Sequence, residues 1–296
     1  MKFSNSRLLF TAIFLFLLYL LSFFMNTGMK RKALKTALIN PKYRSEITNI
    51  MLSCKGESLV LEKKNDFWFV KAYEDSPYLL AAENECVENF IGELIKIRNL
   101  YKISDRLPEN NNFGFEKDHC FYIKCNYNDT FSEFYFGNQD FSEVFRFFMT
   151  GKNTKVYQLD SSFEKYLSVS ENFWCQKTII SKSLCKISSY EELQSVSLNG
   201  KKITSQNEDF TSYCKNLLDL RHGGSIIAVS DLKAILSSEC LARLSIELGN
   251  KNSISLKVYE LPRENQEYAL FVNYDNSKIQ CLYKISGWTL SKILQN

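Results

Sequence analysis

The sequence contains only two histidines, four prolines and eleven glycines among its 296 residues. So few prolines and glycines argue against a disordered or low-complexity chain. The phosphate-binding patterns GxGxxG and GxxxxGKS/T are missing, and so is the nucleophile pattern GxSxG. His119 and His222 stand in no metal-binding or catalytic pattern, so we predict structural or surface roles for both. We therefore predict no enzyme activity, no catalytic residue and no cofactor.

The nine cysteines lack the CxxC-like pairs or Cys/His spacing that zinc sites need, so we predict no metal site. Cys120 and Cys125 are an odd number of positions apart, which puts them on opposite faces of a strand. Cys175 and Cys185 straddle a predicted unit boundary, and the sequence leaves open whether they meet. Buried free thiols are the default interpretation, and unpaired cysteines fit a reducing compartment.

Acidic residues are absent from the first 45 positions, which hold eight of the 37 basic residues. The rest of the chain therefore has 29 basic against 33 acidic residues, a net charge of −4. A mildly acidic body lacks the electrostatic signature of nucleic-acid binding, so we predict no nucleic-acid partner. The basic cluster flanks an apolar segment, where anionic lipid head groups would contact it. The residues predicted to lie at the membrane surface are Lys30, Arg31, Lys32 and Lys35.

The long apolar run extends from Leu8 to Phe24 and contains no charge, proline or glycine. As a helix at about 1.5 Å per residue it measures roughly 25 Å, close to the hydrocarbon thickness of a bilayer. A cleaved signal peptide is the alternative, but its apolar region is usually about 7–15 residues and precedes a small-x-small site, which is missing here. We predict a transmembrane anchor over residues 1–29 and a basic linker over residues 30–45, with membrane lipid as partner.

The remaining chain resembles itself at an offset of about 123 residues. Val87–Arg98 and Phe210–Arg221 both place apolar residues at three- and four-residue spacing, which predicts an amphipathic helix in each. Phe90 corresponds to Tyr213 in this alignment, and the arginines that end both segments coincide. Any two amphipathic helices look alike, so the order of the neighbouring elements must decide.

Four alternating apolar–polar runs and a closing helical stretch follow each helix in the same order. Asn199-Gly200, between two upstream strands, is the strongest hairpin signal in the chain. Short turns indicate antiparallel sheets, each covered by one main amphipathic helix. We predict an α+β fold with two tandem repeated units, residues 46–180 and 181–296. The predicted strands are Ile47–Leu52, Ser58–Glu62, Phe67–Lys71, Phe121–Cys125, Phe131–Phe136, Val144–Met149, Val156–Leu159, Ser195–Leu198, Lys202–Thr204, Leu244–Leu248, Ile254–Tyr259, Tyr268–Val272 and Gln280–Lys284, and the closing helical stretches are Phe163–Leu167 and Trp288–Leu294.

Aromatic residues make up 14% of the chain and are dense in the first unit. They permit a recognition surface, but their strand-like spacing favours core packing, which we prefer. The residues concerned are Phe131, Phe134, Phe136, Phe141, Phe145, Phe147 and Phe148.

Several short motifs occur in a familiar order within the first unit. They are Leu59-Val-Leu-Glu62, Asp66-Phe-Trp68-Phe-Val, Leu94-Ile-Lys-Ile-Arg-Asn-Leu100, Asn112-Phe-Gly114-Phe115, Phe134-Tyr-Phe-Gly137, Lys155-Val-Tyr157 and Asn172-Phe-Trp174-Cys-Gln-Lys177. In this order they resemble the bacterial membrane-anchored family called domain of unknown function four-three-four-zero. The resemblance covers roughly residues 45–180 and is weak beyond them, and the chain departs from the family pattern beside Gly114 and at Cys175-Gln176.

The resemblance implies an N-terminal anchor, an exported domain and an association with ABC transporters of the gliding-motility type. It carries no activity and no catalytic residues. It also implies that the body lies on the outer, periplasmic side of the bacterial inner membrane. The flanking charges point the other way, because four basic residues follow the apolar run closely while Lys2 and Arg7 precede it. We adopt the outer location from the resemblance.

The predicted function is a non-enzymatic accessory or scaffold protein of a membrane complex, with an ABC permease as the expected partner. The alternative is a domain that binds a glycan or peptide in the cleft between the two units, because domain interfaces are common ligand sites. An enzyme of unrecognised type is the weakest hypothesis, and only carboxylates brought together by folding would support it.

Overall fold

The computed structural model describes residues 10–20, 33–71, 78–107, 112–116, 118–152, 154–224, 235, 237–261, 267–275 and 279–295. Within these residues the chain forms two antiparallel sheets and a few helices. The α+β class predicted from the sequence is therefore confirmed.

The first sheet is formed by the N-terminal part of the chain and has ten strands. The strands are β1 (Ala33–Thr36), β2 (Ile47–Cys54), β3 (Glu57–Lys64), β4 (Phe67–Lys71), β5 (Leu80–Ala81), β6 (Arg98–Ser104), β7 (Phe121–Tyr127), β8 (Thr130–Gln139), β9 (Phe145–Thr150) and β10 (Val156–Asp160). They lie in the order β1-β6-β10-β9-β8-β7-β2-β3-β4-β5.

The second sheet has six strands from the C-terminal part. The strands are β11 (Leu193–Leu198), β12 (Lys201–Thr204), β13 (Cys240–Leu248), β14 (Ser253–Glu260), β15 (Glu267–Tyr274) and β16 (Ile279–Ser286). They lie in the order β12-β11-β13-β14-β15-β16.

The helices of the described chain are mostly short. They are α1 (described over residues 10–20), α2 (Asn84–Ile95), α3 (Glu171–Trp174), α4 (Lys182–Cys185), α5 (Phe210–Leu218) and α6 (Gly287–Leu294). Three turns of 3-10 helix cover Pro41–Glu46, Ser161–Tyr166 and Tyr190–Glu192.

Six strands of each sheet follow one order. The first sheet contains the run β3-β2-β7-β8-β9-β10, and the whole second sheet reads β12-β11-β13-β14-β15-β16. Helix α2 precedes the four-strand meander of the first sheet along the chain, and α5 precedes that of the second. The first sheet is larger because β4 and β5 extend one end, and β6 and β1 extend the other.

Alternation of apolar and polar residues sets which face of each strand is buried. In β13, Leu244 and Ile246 are buried while Arg243 and Ser245 are exposed. The hairpin between β11 and β12 turns at Asn199-Gly200, where both residues have positive φ, 50° and 87°. Two positive φ values are the signature of a tight type I′ hairpin turn, so this prediction is confirmed.

One apolar core extends between the two sheets and includes residues of both. Phe134, Phe136 and Phe148 are buried in it, as core packing predicts, whereas Phe131 and Phe141 are exposed. Phe90 of α2 packs against Trp174 with ring centroids 5.4 Å apart. The aromatic residues of the first unit are thus divided between the core and the outer face.

The two sheets are joined along the outer edge of β16. Leu79 forms a parallel bridge to Cys281, with the Leu79 amide donating to the Gln280 carbonyl at 3.4 Å. Farther along the edge, the Gly223 amide donates to the Lys284 carbonyl at 2.7 Å. This edge strand, otherwise open to pairing with another chain, is covered by the protein's own backbone.

The predicted helix Val87–Arg98 is wrong at its C-terminal end. Helix α2 ends at Ile95, and Arg98 begins β6. The Arg98 side chain is 3% exposed, and its guanidinium nitrogens contact Glu93 Oε2 at 2.9 Å and Asp160 Oδ2 at 3.1 Å. The helix ends before Arg98, and the arginine enters the sheet, where its charge is buried between two carboxylates. This is a tertiary interaction, so the helical spacing of the sequence could not predict it.

The predicted basic linker, residues 30–45, contributes strand β1, which pairs with β6 through Leu34 and Leu100. The apolar helix α1 precedes it, and the large side chains of α1 are exposed, among them Phe10 at 78% and Phe16 at 60%. Among the described residues no helix combines the length and the apolar character needed to cross a bilayer. The predicted span ends, Leu8 and Phe24, lie outside the described residues.

Candidate functional site at the junction of the two sheets

A pocket of about 210 Å³ opens where the first unit meets the outer face of the second sheet. Tyr78, just before β5, forms one wall, and residues of β14, β15 and β16 form the floor. It is therefore an inter-unit site, as the alternative hypothesis requires. Its volume is below the roughly 300–1,000 Å³ of drug-sized pockets, so it suits a small ligand.

The pocket has an aromatic wall. Phe271 contacts Tyr78 edge-to-face at 5.4 Å between ring centroids, and Tyr259 in the same manner at 5.5 Å. These rings pack on a small apolar cluster that includes Leu261 and Leu282. Edge-to-face packing on a buried base holds the rings in fixed orientations. Burial raises the pKa of Tyr78, so its phenol stays protonated at neutral pH.

The pocket floor is polar. Ser255, Asn273 and Gln280 occupy one row across three strands, because Ser255 pairs with Asn273 and Asn273 with Gln280. The Asn273 amide nitrogen donates to Asp275 Oδ1 at 2.8 Å, which fixes the orientation of the amide. Lys257 lines the pocket beside this row. The site thus combines fixed rings with hydroxyl, amide and ammonium groups.

A buried polar layer lies behind the junction and holds the units together. His222 Nδ1 accepts from the Gly224 amide at 3.0 Å, so Nε2 carries the proton and donates to the Gln176 carbonyl at 2.6 Å. The ring also packs on Tyr283, 4.7 Å between centroids. Burial lowers the pKa of His222, which keeps the imidazole neutral. This histidine has a structural role, as predicted.

The thiols of this layer are unsuited to nucleophilic chemistry. Burial raises the pKa of Cys281 to about 12, and that of Cys185 to about 12. The thiolate is the nucleophilic form, so these groups are inert at neutral pH. All nine cysteines fall within the described residues, and none of them forms a disulfide, including Cys175 and Cys185, whose proximity the sequence left open. Cys120 and Cys125 are both buried.

One pair of carboxylates is brought together by folding, the arrangement that an unrecognised enzyme would need. Glu93 and Asp160 converge on Arg98, whose Nη1 also donates to Ser162 Oγ at 2.8 Å. Burial opposes their ionisation, but these hydrogen bonds and the Arg98 charge outweigh it, and the pKa of both carboxyls is lowered. With the arginine between them, the carboxylates form an ion-pair network that links α2, β6 and β10.

The residues predicted for the membrane surface are only partly described. Lys35 is exposed on β1, opposite Asn99. Lys30, Arg31 and Lys32 lie outside the described residues. No group of three or more histidine, cysteine or acidic side chains in the described part of the chain is arranged to hold a metal ion.

Sequence reasoning missed the junction pocket. Tyr78 meets Phe271 only because β5 docks against β16, and no local pattern reports that contact. A signal did exist, since Lys257 and Tyr259 both fall on the polar face of an alternating strand, where an aromatic ring is out of place.

Comparisons with protein-family models, with curated proteins and with solved structures gave no match for this chain.

Proposed function

We propose that the protein is a non-enzymatic, membrane-tethered accessory or scaffold subunit. The observation that carries this proposal is helix α1, whose large apolar side chains are mostly exposed, from Leu18 at 48% to Phe10 at 78%. Burying one large apolar side chain contributes about 1.5–3 kcal/mol, so a helix of this kind strongly favours an apolar surrounding. A lipid bilayer provides one.

The tether is short. Residues 21–32 separate α1 from β1, and an extended chain spans at most about 3.6 Å per residue, so β1 stays within roughly 45 Å of the helix. Lys30, Arg31 and Lys32 directly precede β1, and Lys35 is exposed on it. We propose that this basic segment contacts anionic head groups, with each cation near the surface contributing about 1 kcal/mol.

The two units are, in this proposal, diverged copies of one ancestral unit. The shared order of six strands supports this, as do the equivalent positions of α2 and α5 along the chain. Phe90 and Tyr213, matched by the sequence offset, are both buried against the core. Ile97 and Leu220, also matched, differ, because Ile97 is 67% exposed and Leu220 is buried.

The partner and the location rest on the family resemblance. The proposed partner is an ABC permease, and the body lies on the outer side of the bacterial inner membrane. Two motifs of the resemblance contact each other in the body: the backbone amide of Asn138 donates to the Phe113 carbonyl at 2.7 Å, which joins the loop at Gly114 to the strand end at Gly137.

Fractionation of the native host tests the tether. Full-length protein should remain in membranes after a carbonate wash, whereas the double variant Leu15→Asp/Phe16→Asp should be released, because each central aspartate costs about 3 kcal/mol on insertion. The control Phe141→Asp/Val144→Asp changes two exposed apolar residues of the body and should stay in the membrane. Release of the unmodified protein by the wash would contradict the tether.

The second candidate function is ligand binding, and the junction pocket is the specific observation that favours it. Its fixed rings and polar floor are typical of sites that recognise small ligands. Both functions are compatible, since a tethered scaffold can also carry a ligand site.

A further inference from the structure

The outer face of the second sheet holds two cations in an unfavourable arrangement. Arg243 and Lys257 are paired directly across β13 and β14. Like charges in directly opposite positions destabilise a sheet. Neither side chain forms an ion pair within 4.0 Å with any carboxylate of the described residues. Among the described residues, the positive charge beside the pocket therefore has no carboxylate partner.

Acidic residues on the same side of the sheet already have partners. Glu247 accepts from Lys202 at 2.9 Å, Glu267 pairs with Lys284 at 2.8 Å, and Asp275 accepts from Asn273 at 2.8 Å. None of these three forms an ion pair with Arg243 or Lys257 within 4.0 Å. An external anion in the pocket would supply the negative charge that this pair lacks among the described residues.

The remaining residues of the pocket indicate the chemistry of the rest of the ligand. Tyr259 lies beside Arg243, whose charge partly offsets the upward shift that burial gives to the pKa of this tyrosine. Phe271 and Tyr78 provide apolar ring surface next to Lys257. Gln280 and Ser255 add amide and hydroxyl groups on the floor. Charge lies at one side and ring surface at the other.

We propose that the junction pocket binds a small organic anion, a carboxylate or phosphate attached to a single ring, with Lys257 contacting the anion and Phe271 the ring. The proposal rests on the second candidate function and specifies its ligand class. Carboxylate and phosphate both present anionic oxygens that accept charge-assisted hydrogen bonds from a lysine ammonium or an arginine guanidinium.

Saturation-transfer NMR on the full-length protein in lipid nanodiscs tests the proposal, with benzoate, phenyl phosphate and neutral benzyl alcohol as probes. One or both anions should bind at least tenfold more tightly than benzyl alcohol, since a charged hydrogen bond contributes about 1.5–3 kcal/mol. The anion that binds more tightly, benzoate or phenyl phosphate, shows whether the site prefers a carboxylate or a phosphate.

Lys257→Gln should remove most of this preference. The matched control is Lys124→Gln, which changes a lysine that lies over the Phe131 ring, 4.8 Å from its centroid, on the first sheet. It should leave anion binding unchanged. Phe271→Leu keeps an apolar side chain in the cluster and removes the ring. This variant should bind all three probes more weakly.

Three outcomes would overturn the proposal. Equal binding of anions and benzyl alcohol would remove the anion preference and leave ligand binding at the pocket intact. Equal losses from the Lys257 and Lys124 variants would show a general charge effect rather than a site. Binding of no probe to the unmodified protein would remove both the anion site and the ligand-binding function, while the membrane tether would still stand on its own test.

Discussion

Six strands of the first sheet follow the same order as the six strands of the second, but the outer faces of the two sheets carry different side chains. On the first sheet, Tyr122 and Tyr135 are paired across β7 and β8, and their rings pack 5.1 Å apart. On the second sheet, Ser245 and Ser255 are paired across β13 and β14. The inner faces are alike, since Ile123 of the first sheet and Leu244 of the second are both buried in the common core.

The difference shows which positions the fold constrains. Inner positions must fill one shared core, so they stay apolar in both units. Outer positions are free to diverge, because strand pairing needs only the backbone there. On the first sheet the outer face carries the packed rings of Tyr122 and Tyr135, and on the second it combines paired serines with the aromatic wall of the junction pocket. Under the proposed duplication, the two copies share an architecture, and the proposed ligand site lies at the outer face of the second sheet.

The largest expected effect is on Arg98, the buried arginine of the first unit. Arg98→Ala would leave Asp160 without this cation and Glu93 with Lys96 at 3.6 Å. Breaking a buried pair costs about 3–5 kcal/mol, and we expect a loss at the lower end because both carboxylates are partly exposed. The urea midpoint of the full-length protein in mild detergent, followed by the fluorescence of buried Trp68 and Trp174, measures this loss.

The matched control is Arg221→Ala, at the position aligned with Arg98 in the second unit. Arg221 is exposed, so its change should stay within about 0.5 kcal/mol. Equal losses of stability from the two substitutions would contradict the difference between the buried Arg98 and the exposed Arg221.

The next effect concerns the close approach of a loop to β8. A Cβ on Gly137 would lie 2.0 Å from the Phe113 carbonyl oxygen, so Gly137→Ala should destabilise by about 1–3 kcal/mol, because backbone must move to relieve the overlap. Thermal unfolding of the same preparation measures the effect.

Gly92→Ala provides the opposite case. A Cβ there meets nothing within 4 Å, and the residue lies inside α2, so alanine should stabilise by up to about 1 kcal/mol. A Gly137→Ala protein as stable as the unmodified one would contradict the loop contact.

The smallest effect is a pH dependence that the second unit should show and the first should not. The pKa of His222 is lowered in the folded protein, so the unfolded chain binds a proton first as the pH falls. The stabilising contribution of neutral His222 is complete above the unfolded pKa of about 6.5, and is lost as the pH falls below it. Urea midpoints between pH 8 and pH 5 measure the slope.

His222→Gln should flatten this slope. A slope that survives the His222 substitution would assign the pH dependence to other groups.

The sequence was most informative where local patterns and tertiary structure agree. Alternation located β13, and Asn199-Gly200 located the turn before it. Helical periodicity ran past Ile95 because Ile97 and Arg98 continue the spacing, although Arg98 belongs to the sheet. Strand β1 was missed because it lies within the basic segment that we predicted to be a linker.

The contacts that form the candidate site could not be predicted from the sequence, and the reason is physical. The Tyr78–Phe271 contact depends on how two units dock, and the Arg243–Lys257 opposition depends on strand register. Neither property is encoded by residue spacing within one strand. The basic cluster and apolar run were visible in the sequence because composition alone defines them.

Purification of the full-length protein from its native host most directly tests the proposed role as an accessory subunit of a membrane complex. The protein would be extracted in mild detergent after cross-linking, and its partners identified by mass spectrometry. The account predicts an ABC permease or its ATPase at near-stoichiometric yield, lost in the Leu15→Asp/Phe16→Asp variant. Recovery of the protein alone, across several detergents and with cross-linking, would contradict the accessory role.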